Sequence, residues 1–349
     1  MKKSIFLLAL TLILSAAGCD KPKPADGKKT ADTAKKTVKI GLISSSSGFG
    51  DNAFNDLTLQ GVDRAATDMG ISYDKIAIKA IGDIELSLRD MASAEDYDLV
   101  ICLTFEALEA LKIVGGEYPD QKFAIIDTSL DAPNVASYMT KDEEASFMIG
   151  ALAALMKAEG FSKTNQIGFI GGADRPNIRI FYSGYAGGAK YINKNIQIFD
   201  DYVGSFTDVT TAKEIASAMN SRGADMIFHA AGMSGNGLFQ AAKENNTYAF
   251  GVNINQNSVD PDHIAASMIK KVDNAAYEAI KSVVDGTFSP GVRALSMADG
   301  GVDIVTDGSN VKLSDAIKQS LEDIKRKIAS GEIAVPNSAG TLESFINRL

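Results

Sequence analysis

From Val38 onward the chain predicts an α/β fold of two doubly wound parallel-sheet domains, and three observations carry that expectation. Short apolar runs alternate with amphipathic stretches of helical length, the pattern of the first half recurs in the second with the same internal spacing, and a late strand and helix can return the chain to its first domain. Strands separated by helices of this length imply βαβ units and a parallel sheet covered on both faces.

In chain order, Val38–Ile43 reads as a strand, and Phe54, Leu57, Gly61, Val62, Ala65 and Met69 fall at helical spacing. Ile76–Ala80 reads as a strand, Leu86–Ala94 as a helix, Leu99–Leu103 as a strand, Glu106–Gly115 as a helix and Lys122–Asp127 as a strand. Asn134–Thr140 reads as an extended segment crossing to the second domain, and Glu144–Lys157 as the helix that opens it. The repeat then begins. Ile167-Gly168-Phe169-Ile170 echoes Ile40-Gly41-Leu42-Ile43; in both copies a Phe follows the first Ile by fourteen residues (Phe54, Phe181) and a Gly by twenty-one (Gly61, Gly188). Asp83 to Ala94 followed by Asp98–Ile101 has its counterpart in Asp208 to Met219 followed by Asp225–Phe228. Two copies of one α/β unit mean two similar domains. Tyr248–Asn253 reads as a strand, Ile264–Val284 as a helix, Ala294–Ile304 as a further crossing and Ser314–Ala329 as a closing helix. The resulting division assigns 38–138 plus 254–290 to the N-terminal domain and 139–253 plus 291–349 to the C-terminal one.

Ahead of this body, Lys2, Lys3, the apolar run Ile5–Leu14 and the small residues Ser15–Gly18 have the form of an export signal, too short for a permanent membrane span. Cys19 directly after the small residues resembles the lipobox of bacterial lipoproteins, with Ala16 where Leu is usual, so 1–19 is read as a lipoprotein signal peptide and Cys19 as the acylated residue. Residues 20–37, rich in Lys, Pro, Ala and Thr without apolar periodicity, read as a flexible tether.

Charge narrows the partners. The net charge is −9, yet residues 1–37 carry eight Lys against three Asp, which leaves −14 on the remainder. A folded body that acidic repels polyanions, so nucleic acid is not expected as a partner and a neutral or cationic small ligand is. Chemistry is narrowed by what the chain lacks. Its two histidines, His229 and His263, have no Cys or carboxylate at metal spacing, so neither a metal nor a cofactor is expected. There is no G-x-S-x-G elbow and no P-loop lysine, Gly168–Gly172 misses the dinucleotide fingerprint, and nothing beside Ser44–Ser47 supplies a base. Cys102, within Leu99–Leu103, reads as a core residue.

Ligands of open parallel sheets bind beyond the carboxyl ends of the strands. Those ends are Ser44–Asn55, Thr104-Phe105, Asp127-Thr128, Gly171–Asn177, Gly204–Asp208, Gly232–Gly237 and Asn253–Asn257. They bring aromatic, amide, hydroxyl and carboxylate groups on Gly-rich loops. Phe54 and Phe206 are either core residues or two faces for a flat ring, Asp51 either a helix cap or an acceptor for a ligand N–H. Asp127 ends its strand at the cleft. Lys270 is a solvated helix residue unless it faces the hinge, and Gly232 begins either a tight turn or a loop of backbone donors.

Asp51–Asn55 (DNAFN), Gly232–Gly237, Gly251–Gln256 (GVNINQ) and Ser267–Asp273 (SMIKKVD) occur in an order that resembles the basic membrane protein family of bacterial lipoproteins, which includes purine nucleoside receptors of spirochetes. The resemblance runs from about Val38 to the C-terminus. It implies a type I periplasmic-binding-protein architecture of two domains joined by three hinge crossings, no catalytic activity, and delivery of a nucleoside to the permease of an ATP-driven importer. By position, it implies that the first loop (Ser45, Asp51, Asn52) and Phe54-Asn55 contact the ligand, with Phe54 and Phe206 stacking on the base, and that Asp127, Gly232, Asn253 and Lys270 complete the site. Two departures stand out: Asn253 is an amide where the family carries a carboxylate, and an acidic residue of the first loop is replaced near Ser45. The expectation is a lipid-anchored solute-binding protein of the bacterial cell envelope, on the periplasmic side or the cell surface. The alternatives are a surface antigen or adhesin, or a receptor for another polyhydroxylated solute.

Overall fold

A computed structural model describes residues 37–46, 48–50, 54–162 and 164–349. The signal segment, Cys19, nearly all of the tether, Asp51 and Asn52 lie outside the described residues. None of the described helices is long and apolar enough to cross a membrane.

The first lobe begins with β1 (Lys39–Ile43), α1 (Phe54–Met69), β2 (Ser72–Ile76), α2 (Asp83–Ser93), β3 (Leu99–Leu103), α3 (Leu108–Glu117), β4 (Phe123–Ile126) and β5 (Val135–Thr140). The chain then forms α4 (Asp142–Ala158), β6 (Gln166–Gly171), α5 (Pro176–Ile192), β7 (Gln197–Tyr202), α6 (Val209–Ser221), β8 (Ala224–Ala230), α7 (Gly235–Asn245), β9 (Tyr248–Gly251) and β10 (Ile264–Lys270). It ends with α8 (Val272–Val284), β11 (Gly291–Leu295), β12 (Val302–Val305), α9 (Asp315–Ala329) and α10 (Ala339–Arg348).

Two six-stranded sheets result, in the orders β11-β5-β4-β3-β1-β2 and β12-β10-β9-β8-β6-β7. They match strand for strand, which is the internal repeat made visible. All pairings are parallel except β10 with β12. Because both faces of each sheet are covered, central strands such as Leu99–Leu103 are buried throughout and read as continuous apolar runs. Ile40, Leu42, Leu99 and Ile101 pack on one face of the first sheet with Val272 and Ala276, while Val100, Cys102, Phe123 and Ile125 pack on the other with Leu88 and Leu111.

Each lobe receives one helix across a passage. Helix α4 follows β5 of the first sheet yet packs on α5, and α8 follows β10 of the second sheet yet packs on α1. Both contacts are made through the repeated glycines. A Cβ on Gly61 would stand 2.1 Å from the Asp273 carbonyl oxygen, and one on Gly188 would stand 1.9 Å from that of Phe147. The third passage, between β11 and β12, is tied to the other two: the Lys141 N–H donates to Leu295 O and the Lys271 N–H to Gly301 O, each at 2.9 Å.

Three sequence expectations are corrected. Ile264–Lys270 is a strand, and only Val272 onward is helical. Buried in all but Ile269, the IAASMI run has no alternation to betray it, and its Ala and Met residues favour helix until a neighbouring strand overrides them. The second passage therefore follows Lys270, so residues 264–270 belong with the second sheet, not with the first lobe as the 254–290 assignment had it. Strand β11 (Gly291–Leu295) belongs with the first sheet, not with the second lobe as the 291–349 assignment had it. The strand expected at Ile76–Ala80 lies at Ser72–Ile76 instead. It is an edge strand with three of five residues exposed, so its polar Ser-Tyr-Asp-Lys run needed no apolar pattern.

Candidate functional site

The carboxyl ends of the two sheets face one another. Lys270, closing β10, forms an ion pair with Asp127 at the end of β4, and the Arg175 guanidinium before α5 lies 5.4 Å from the centre of the Phe105 ring after β3.

The first loop is built from β1 and α1 together. The Ser45 N–H donates to Asn55 Oδ1 at 2.8 Å, and Asn55 Nδ2 donates to Ser45 Oγ at 3.0 Å, both side chains being buried. Next to them the Ser46 N–H and hydroxyl donate to the two carboxylate oxygens of Glu106, each at 2.8 Å. Ser45 and Asn55 thus shape the loop by bonding one another, and Glu106 reaches it from the end of β3. Phe54, the first residue of α1, is half-buried against the first lobe's core.

Phe206, in the loop between β7 and α6, is 37% exposed. Gly172 leaves the space its ring fills, since a Cβ there would stand 2.4 Å from the ring. Gly232, at φ +56°, packs against the Phe206 backbone, and the Ser234 N–H donates to the Phe206 carbonyl at 3.1 Å. Phe206 and Gly232 are thereby brought together, whereas no ring contact among the described residues joins Phe206 to Phe54. Phe105 (50% exposed) and Met233 (64%) add apolar surface at the ends of β3 and β8.

The polar end gathers Asp127, Asn253 and Lys270. Asp127 and Asn253 occupy equivalent places in the two lobes, and both have left-handed backbones, at φ 73° and 69°. Such backbones are uncommon outside Gly and cluster at functional sites; Asp and Asn tolerate them best. The Lys270 N–H donates to the Asn253 carbonyl at 2.9 Å. Lys270 is buried, and its Nζ donates to Asp127 and, at 2.8 Å, to Asp142. Burial works against the ammonium, but these two carboxylates override it and hold Lys270 protonated, above the usual lysine range. Burial also pushes the Asp142 carboxyl up, against the pull of Lys270, with Asp127 adding to the rise. Lys270 is thus no solvated helix residue, and Asp127 is not an unpaired carboxylate.

Behind Asn253, fully buried His229 steadies the loop. The Ala231 N–H lies 3.4 Å from Nδ1, so Nε2 carries the proton and donates to Gln256 Oε1 at 3.2 Å, which also accepts from the Val252 N–H at 2.8 Å. Burial lowers the His229 pKa to about 4, keeping the ring neutral.

Residues 37–339 match the family model Bmp, described as "ABC transporter substrate-binding protein PnrA-like". The chain belongs to this family. An uncharacterized lipoprotein of Pyrococcus abyssi is 32% identical to this Bmp-family protein over 86% of the chain and 75% of its own length. A protein of Lactococcus lactis named "ABC transporter nucleoside-binding protein BmpA" is 28% identical over 97% of the chain and all of its own length. The structure of an ABC transporter solute-binding protein from Aeropyrum pernix superposes with a TM-score of 0.74 at 29% identity, covering 89% of this chain and 97% of that one. The architecture is accordingly that of the type I periplasmic binding proteins, and the Bmp-family function is substrate binding for an ABC transporter, which implies a small-molecule ligand and a permease.

Sequence reading did not select Asp142, Glu106 or Arg175, all of which reach the cleft in this Bmp-family protein. Asp142 and Glu106 stand at the starts of helical segments, where acids are expected for helix-dipole reasons alone. No spacing separates them from ordinary first-turn acids.

Proposed function

We propose that this Bmp-family protein is a lipid-anchored nucleoside receptor of an ATP-driven importer, without catalytic activity of its own. The base lies between Phe54 and Phe206, and the sugar meets Asp127, Asn253 and Lys270, with Gly232 and the first loop (Ser45, Asp51, Asn52, Asn55) completing the contacts. Closure of the two lobes about three passages brings the halves of this site together. Acylated Cys19 holds the protein to the cell envelope.

The observation that carries the reading is the cleft's division of labour. Exposed aromatic and apolar side chains, Phe206, Phe105 and Met233, suit a flat ring, while a charged cluster at the hinge suits a hydroxylated group. The name of the Lactococcus lactis relative supports the same assignment. Mass spectrometry of ligand released on denaturing the purified protein, followed by calorimetry with inosine, adenosine, ribose and glucose, tests it. A nucleoside should be released and should bind far more tightly than either free sugar; sugar binding without nucleoside binding would refute the proposal.

A further inference from the structure

One charged group at the polar end has no assigned part. Asp142 opens α4 immediately after the first passage and is buried. Its two carboxylate oxygens face different partners: Oδ1 accepts from the Thr140 hydroxyl at 2.7 Å, and Oδ2 accepts from Lys270 Nζ at 2.8 Å. Lys270 closes β10 immediately before the second passage and also reaches across to Asp127. The Phe181 ring lies 5.8 Å from Nζ.

A lysine on a four-carbon stem facing a single carboxylate has many orientations open to it. Two carboxylates approaching from separate elements, with a ring beside them, leave few. An ammonium has three donors, and here two are committed to Asp127 and Asp142. Among the described residues no third oxygen accepts from this ammonium. We infer that Asp142 is a positioning residue, oriented by Thr140, which holds the Lys270 ammonium so that its remaining N–H meets a hydroxyl of the ligand. This inference rests on the reading of Lys270 as a donor to the sugar of a bound nucleoside. If Asp142 only capped α4 or balanced a buried charge, its loss would weaken every ligand alike.

The test compares inosine with 2′,3′-dideoxyinosine, which keeps the base and lacks the vicinal hydroxyls, by calorimetry on the wild-type protein, Asp142→Asn and Thr140→Val, with thermal melts to verify folding. Asp142→Asn retains shape, and Thr140→Val retains every charge. Losing a charged hydrogen-bond partner should weaken inosine about tenfold or more in Asp142→Asn, with less than about twofold change for the dideoxy compound. Thr140→Val should shift the two ligands apart in the same sense by a smaller factor. Equal losses for both ligands, or no loss, overturn the positioning role. Failure of the nucleoside reading is a different result, namely no binding of either compound by the wild-type protein. The clamp is then read without ligand, by reductive ¹³C-methylation followed by NMR, the Lys270 signal being assigned with Lys270→Arg. Lys270 should react slowly in the wild-type protein and readily in Asp142→Asn; equal reactivity in the two overturns the inference.

Discussion

Alanine in place of Gly188 and of Gly116 should change stability in opposite directions, although both glycines are helical. A Cβ on Gly188 would stand 1.9 Å from the Phe147 carbonyl oxygen, 2.7 Å from its carbon and 2.9 Å from the Ala151 nitrogen. All three are backbone atoms of α4, so no side chain can rotate out of the way. Helix α4 would have to retreat by about 1.5 Å to restore ordinary van der Waals separation. Overpacking of this kind costs about 1–3 kcal/mol or more, against a gain of about 0.5–1 kcal/mol from replacing a helical glycine. Gly116, near the end of α3, has no atom within 4 Å of its would-be Cβ, so only the gain remains. Because that gain is common to both variants, urea unfolding should separate them by the overpacking cost itself, about 1–3 kcal/mol or more, with Gly116→Ala above the wild-type protein and Gly188→Ala well below Gly116→Ala. A Gly188→Ala protein within about 0.5 kcal/mol of Gly116→Ala would refute the claim that the repeated glycine sets the α4–α5 contact.

Phe206→Ala should weaken nucleoside binding by about 1–3 kcal/mol while leaving the melting curve nearly unchanged, because the ring is partly exposed; unaltered affinity in calorimetry would remove Phe206 from the site. Burial pushes the Glu143 carboxyl up to about 7, with Asp142 and Glu144 adding to the rise. A raised acid favours the fold below its ordinary pKa of 4.5 and loses that contribution as pH climbs to about 7. Glu143→Gln should accordingly match wild type near pH 4 and exceed it near pH 8 by on the order of 1–3 kcal/mol, and an equal difference at both pH values in chemical unfolding would contradict the assignment. Lys157 is buried against Asp225, Ser162 and Thr164, so Lys157→Met should cost about 3–5 kcal/mol by stranding the carboxylate. Adding Asp225→Asn should restore part of that loss, and a double variant no more stable than the single one would show that the pair is not what matters.

The repeat was the most legible feature of the chain. Ile40 and Ile167 are each the second residue of β1 and β6, and Phe54 with Gly61 and Phe181 with Gly188 lie in the helices that follow those strands, because similar strand-to-helix units need similar residue sizes at the same steps. Legibility failed where burial erased alternation, as in β10, and where an edge strand needed no apolar residues, as in β2. Strand-end logic singled out Asp127, Phe206 and Gly232, which lie after β4, β7 and β8. It said nothing of which groups would bond one another.

By itself, then, the amino-acid sequence determined the alternation of strands and helices, the duplication, the acidic body and the ends of the strands where a ligand would sit. These depend on local periodicity and composition, which a linear reading contains. The tertiary structure alone decided that Ser45 and Asn55 bond each other, that Glu106 secures the first loop, and that Lys270 joins Asp127 to Asp142. Lys270 is separated by 143 residues from Asp127 and by 128 from Asp142, and the three meet only where the ends of β10 and β4 and the start of α4 come together in space. An ion pair depends on distance in space, and no pattern along the chain records it.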